Sequence, residues 1–174
     1  SEKRSWTMMH LAARTKLVRP EMAHHFGLFS DIGIPLMMAS FPTYGETLLI
    51  ANRLPVDGLV QLENARHRIN HAVVGAMLAE HWHIGEDIVL AIKKHHSPQV
   101  LQDGQVPASV RNLIAIHLLV DKAIQEYRHD ISNEWASGGA LVRETLGLTD
   151  ADVEDLCEEL NQRLLRPYYN ETSA

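Results

Sequence analysis

Apolar residues recur at three- and four-residue spacing throughout this chain, and no segment shows a sustained two-residue alternation or an Asn-Gly hairpin signature. A period of 3.6 puts such residues on one side of a helix, whereas a half-buried strand needs a period of two. The chain is therefore expected to fold as an all-α, multi-helix bundle. Its clearest stripe runs Val110, Leu113, Ile114, His117, Val120, Asp121, Ile124. That is the spacing of a buried helix face, and it carries a histidine and an aspartate.

Capping and breaking residues divide the chain. Ser5 to Val18 reads as a first helix, and Pro20 suits the first turn of a second that carries Met22, Phe26 and Phe29. A third passes through Met37 and Met38 and stops at Pro42. Thr43 can cap a fourth that runs through Ile50 to Leu54. Pro55 to Gly58 reads as a turn, and Leu59 to Arg68 as a short helix. Asn70 is an N-cap for a helix from His71 to Trp82, and Gly85 opens another that reaches His96 and stops at Ser97-Pro98. Gln99 to Val106 is expected to be a polar loop. The longest helix starts at Pro107 and reaches His129. Ser137-Gly138-Gly139 reads as a linker, followed by a short helix over Ala140 to Leu146. Gly147 ends that helix, and Thr149 caps an acidic last one with Val153, Leu156, Leu160 and Leu164. The whole, residues 1–174, is expected to form one helical domain, with a boundary near residue 132 and a helical appendage over 132–166.

Composition narrows the function classes. The formal net charge is −6 and the longest basic run is Lys93-Lys94-His95-His96. Displacing counterions from phosphates needs a basic stripe, so a nucleic-acid partner is not expected. The single cysteine, Cys157, permits no internal disulfide and fits a reducing compartment. The polar start and the absence of any apolar run near 18 residues point away from a signal peptide and a membrane span. A cytoplasmic location is the expectation. Eleven histidines is the unusual count, and what matters is which of them lie on apolar faces.

Several do. His117 and Asp121 are one turn apart within the 110–124 stripe. A buried carboxylate is costly unless it is paired, so Asp121 needs a metal, a histidine or backbone donors. Ile88, Ile92, His95 and His96 share a side of their helix. His71 shares one with Val74, Gly75, Leu78 and Trp82, and Gly75 would let another helix approach closely. Asp31 ends the helix that carries Phe26 and Phe29. Asp, His, His-His and Asp from four helices are residue types suited to a divalent metal. His10, His24, His25, His67, His81, His83 and His129 read as surface or packing residues.

The order of these features resembles a known family. Phe29-Ser30-Asp31-Ile32-Gly33 is similar to the Leu-His-Asp-Ile-Gly signature of HD-superfamily phosphohydrolases. His71-Ala-Val-Val-Gly75 with Leu78 and Trp82, and Ala91-Ile92-Lys93-Lys94-His95-His96, resemble segments of HDOD domains. Asp121 after His117 matches the family's late Asp, and Trp6 resembles the Trp that opens its central helix. The resemblance covers residues 5–130. HDOD proteins usually carry a further helical bundle before this region, and this chain starts at about the middle of that pattern.

The resemblance implies an HD-like fold and a set of possible metal ligands: Asp31, His71, His95, His96 and Asp121, with His117 behind them. It also implies a degenerate site. Ser30 stands at the doublet's histidine position, and the first histidine position falls near Met8 or Met9, with His10 displaced along the helix. The expected function is a non-catalytic signal-transduction module of bacterial type. It would use no cofactor, or iron or manganese if metal is kept, and its partners would be other signalling proteins. The alternatives are a metal-dependent phosphohydrolase acting on a nucleotide or cyclic dinucleotide, and a small-ligand sensor.

Overall fold

The computed structural model describes residues 2–51, 58–129 and 133–164. Ten α-helices and one 3₁₀ turn make up the described residues, and none of these residues forms a strand. The helices are α1 (Glu2–Thr15), α2 (Pro20–Phe29), α3 (Gly33–Ser40), α4 (Tyr44–Ala51), α5 (Gly58–His67), α6 (His71–His81), α7 (Glu86–Lys94), α8 (Ala108–Tyr127), α9 (Asn133–Leu146) and α10 (Asp150–Leu164). The all-α expectation holds.

Helix α8 is the axis. Every residue from Leu113 to Val120 is buried, so it is covered on all sides and not only along the stripe read from sequence. Helices α1, α2, α7, α9 and α10 pack against it. Phe26, Met8, Leu11, Ile92, Leu113 and Ile114 are among the fully buried side chains of this core. Fully burying one such side chain is worth roughly 1.5–3 kcal/mol.

Local signals explain the starts of three helices. Pro20 occupies the first turn of α2, where a missing N–H costs nothing. The Asn70 side chain accepts a hydrogen bond from Val73 N at 3.0 Å, which makes it the N-cap of α6. Thr149 and Asp152 bond each other's backbone N–H groups at the start of α10, which is a reciprocal capping arrangement. Leu54, the expected end of α4, and the boundary expected near residue 132 lie outside the described residues.

Two expectations need correction. Residues 99–106 are not simply a polar loop: Pro98–Gln102 form a 3₁₀ turn whose Val100 and Leu101 are buried against the core. Ser137-Gly138-Gly139 is not a linker, because α9 runs unbroken through it. Tertiary packing overrides the glycines' poor helix propensity. A Cβ at Gly138 would lie 3.1 Å from the Pro98 side chain, so the absent side chain is what lets α9 lie against the 3₁₀ turn. The acidic α10 buries Val153, Leu156, Cys157 and Leu160, and it packs on α8 and α1.

A close crossing sets up the centre of the molecule. Helices α3 and α6 pack against each other through Gly33 and Gly75. A Cβ on Gly33 would collide with the His71 carbonyl oxygen and come within 2.9 Å of the Gly75 nitrogen. This contact brings Asp31, just before α3, up to the first turn of α6.

Candidate metal centre

Seven segments supply one connected cluster of polar side chains: the start of α1, the α2–α3 junction, α5, the start of α6, the end of α7, the middle of α8 and the start of α9. The Phe26 ring lies 5.3 Å from that of His117 and 6.3 Å from that of His95. One ligand atom from each of Asp31, His71, His95 and His96 lies within 4.8 Å of those of the other three. Asp121 is not in that group. The cluster divides into an imidazole half and a carboxylate half.

In the imidazole half, each ring has its Nδ1 tied back. His71 Nδ1 bonds Glu63 of α5 at 2.8 and 3.0 Å, and both groups are essentially fully buried. His96 Nδ1 bonds Glu134 of α9 at 2.6 Å. His95 Nδ1 donates to the Ile92 carbonyl at 2.6 Å. All three Nε2 atoms are thereby left to face the interior of the cluster. Partners of this kind fix the tautomer and orientation of a metal-binding imidazole.

His71 Nε2 and His96 Nε2 lie 2.8 Å apart. An ionised carboxylate can only accept, so His71 donates from Nδ1 to Glu63. One proton lies between the two Nε2 atoms, donated by one ring and accepted by the other. Burial, with Asp121 nearby, pushes the Glu134 carboxyl up to about 7, and burial, with His71 beside it, pushes His96 down to about 4. Burial would raise Glu63, but its bonds with His71 and Tyr44 hold it below its usual range. Tyr44, fully buried, donates its hydroxyl to Glu63.

His95 Nε2 is buried with no hydrogen-bond partner among the described residues, and Asp31 Oδ1 is 3.7 Å away. Its pKa is lowered, first by burial and then by His96. An orphaned imidazole lone pair aimed at a carboxylate oxygen and two further Nε2 atoms suits a transition-metal ion. The residues of this half fit a metal.

The carboxylate half is different. Arg4, from the first turn of α1, donates from Nε to Asp121 Oδ1 at 2.8 Å and from Nη1 to Asp31 Oδ2 and, at 3.4 Å, to Ser30 Oγ. One guanidinium thus joins both aspartates and the serine at the doublet's histidine position. Burial alone would raise Asp31, yet Arg4 holds it well below the usual carboxylate range. Asp121 stays raised because its burial outweighs the attraction of Arg4. For Arg4, burial opposes the charge, and Asp121 and Asp31 together more than offset that cost, so its pKa is raised. A second cation between these aspartates does not fit while Arg4 is there.

His117 is fully buried on α8, with no hydrogen-bond partner for either ring nitrogen among the described residues, and its Nδ1 is 3.9 Å from Asp121 Oδ2. Burial, then Arg4 and His95, keep it well below its ordinary value and neutral. Met8 is completely buried in the core, and the imidazole of His10 bonds Glu159 of α10 at 2.7 Å, away from the cluster.

Sequence reasoning missed Arg4, Glu63, Glu134 and Tyr44. Arg4 had a readable signal, because it lies one turn before Met8 and continues the α1 face of Met8 and Leu11. Glu63 shares a face with buried His67, four residues on. Nothing in the sequence singled out Glu134.

No curated protein matches the sequence. The fold is similar to a crystal structure described as a "putative phosphohydrolase" from Shewanella amazonensis SB2B, with a TM-score of 0.68 and 20% identity. The similarity covers 92% of this chain and 56% of that one, so the chain spans about half the length of that relative. At this identity the likeness shows the fold. Residues 1–98 match the family model of the HDOD domain; this is more than half of the 174 residues, and the chain belongs to the HDOD family.

Proposed function

We propose that this chain is a non-catalytic regulatory module of bacterial signal transduction, in which Arg4 replaces one cation of an HD-type site and the imidazole half holds a single metal ion. One observation carries this reading: the Arg4 guanidinium bonds Asp31 and Asp121 at once. A two-metal phosphodiesterase clamps its substrate between ions on both sides of such a cluster. Here a guanidinium already occupies the space between the two carboxylates, and Ser30 is a poor substitute for an imidazole ligand.

His71, His95, His96 and Asp31 would hold the ion, and iron or manganese suits a mixed imidazole and carboxylate set. Bound there, it would supply charge that draws the α2–α3 junction, the start of α6 and the end of α7 together. Its partners are other signalling proteins rather than nucleic acid, in keeping with the net charge of −6. No helix among the described residues is long and apolar enough to cross a membrane.

The test is turnover. The protein supplied with Mn²⁺ should leave bis(4-nitrophenyl) phosphate and cyclic dinucleotides intact. Hydrolysis that disappears in His71→Ala would overturn the non-catalytic reading. It would favour instead a metal-dependent phosphohydrolase, the reading to which the four converging ligand atoms lend support.

A further inference from the structure

The segment matched to the family ends at residue 98, yet the imidazole half is completed from outside it. Glu134, in the first turn of α9, bonds His96 Nδ1 at 2.6 Å and is mostly buried. It is the carboxylate on the outer side of His96, as Glu63 is on the outer side of His71. We propose that Glu134 is a positioning residue for the metal ion, and that through it the docking of α9 depends on metal occupancy. This rests on the reading that the imidazole half holds metal.

Among the three rings, His95 is fixed by a carbonyl of its own helix, and His71 by Glu63, eight residues earlier in the chain. Only His96 is held by an element 38 residues away. The Glu134 bond fixes the orientation in which the His96 ring offers Nε2 to the cluster. Coupling of this kind is reciprocal, so a contact that strengthens metal binding is itself strengthened by the bound ion. The same contact therefore grips α9 more firmly when the ion is bound. The rest of α9 is set to follow, since it packs along α8 and the 3₁₀ turn.

The variants are Glu134→Ala, Glu134→Gln and, as a control on the exposed face of α9, Glu144→Ala. Mn²⁺ binding is read from the electron paramagnetic resonance signal of the free ion, and α9 docking from amide hydrogen exchange with and without Mn²⁺. Glu134→Ala should bind Mn²⁺ about 10–100-fold more weakly, the usual cost of losing such a partner. Glu134→Gln, which keeps an acceptor without charge, should fall between it and the wild type, and Glu144→Ala should bind as the wild type does. Mn²⁺ should slow exchange across α9 in the wild type and not in Glu134→Ala. Equal affinity in Glu134→Ala, or metal-dependent protection of α9 that survives it, overturns this proposal while leaving the metal reading standing. A wild-type protein that binds no Mn²⁺ overturns both.

Discussion

Replacing Arg4 with methionine keeps a long unbranched side chain on α1 and removes the one cation that joins Asp31 and Asp121. The side chains of Arg4, Asp31 and Asp121 are 20%, 31% and 13% exposed, between the surface and the interior. Breaking a buried ion pair by removing one partner costs about 3–5 kcal/mol, whereas exposed pairs are worth about 0–1 kcal/mol. Two carboxylates lose their partner here, and partial hydration softens the loss, so about 3 kcal/mol is expected at neutral pH. For a chain of this length that is a fall of roughly 6–12 °C in Tm.

Acidity separates the electrostatic loss from simple repacking. In the wild type Asp31 is held low by Arg4. Its contribution is present above the ordinary carboxylate range and fades only as pH falls through its depressed native value. Without Arg4, burial dominates at both aspartates and raises both, so the variant is relieved as they take up protons. The difference in Tm between wild type and Arg4→Met should shrink as pH is lowered from 7 toward about 4, near the ordinary carboxylate pKa. Thermal unfolding followed by circular dichroism measures it. A deficit of the same size at both pH values would refute the charge argument, and no deficit at all would refute the pairing.

Two further outcomes follow from packing. Gly33→Ala drives a methyl group into the His71 backbone, so it should cost at least about 3 kcal/mol, the upper range for overpacking a core. Urea unfolding measures this loss, with Gly45→Ala, whose Cβ would meet nothing within 4 Å, as the harmless counterpart. Cys157 is 4% exposed and its thiol is pushed up to about 11, chiefly by burial. It should resist iodoacetamide at pH 8 in the folded protein and react on unfolding, as mass spectrometry would show.

The helices were legible where a local signal and the tertiary demand agree. Pro20, Asn70 and Thr149 mark real starts because each supplies or spares a backbone hydrogen bond at a helix end. The α9 region was misread because Gly138 and Gly139 act there as small packing residues rather than as breakers. In the cluster, Asp31, His71, His95 and His96 were visible because they interrupt apolar stripes, and the structure brings them together. Asp121 interrupts one too, but its partner is Arg4, a residue of the polar start of the chain whose pairing spans 117 positions. Glu63 left only a faint trace, one turn before buried His67 on α5. Glu134 was invisible: it is held by His96, 38 residues away, and a carboxylate that the fold buries through a distant partner leaves no periodic trace in its own segment.

Metal stoichiometry distinguishes a one-ion site from a two-ion site. The protein, purified without chelator and reconstituted with Mn²⁺ or Fe²⁺, should carry one equivalent by elemental analysis, lost in His71→Ala. Two equivalents in the wild type would contradict the account, because a second ion between Asp31 and Asp121 requires Arg4 to be displaced.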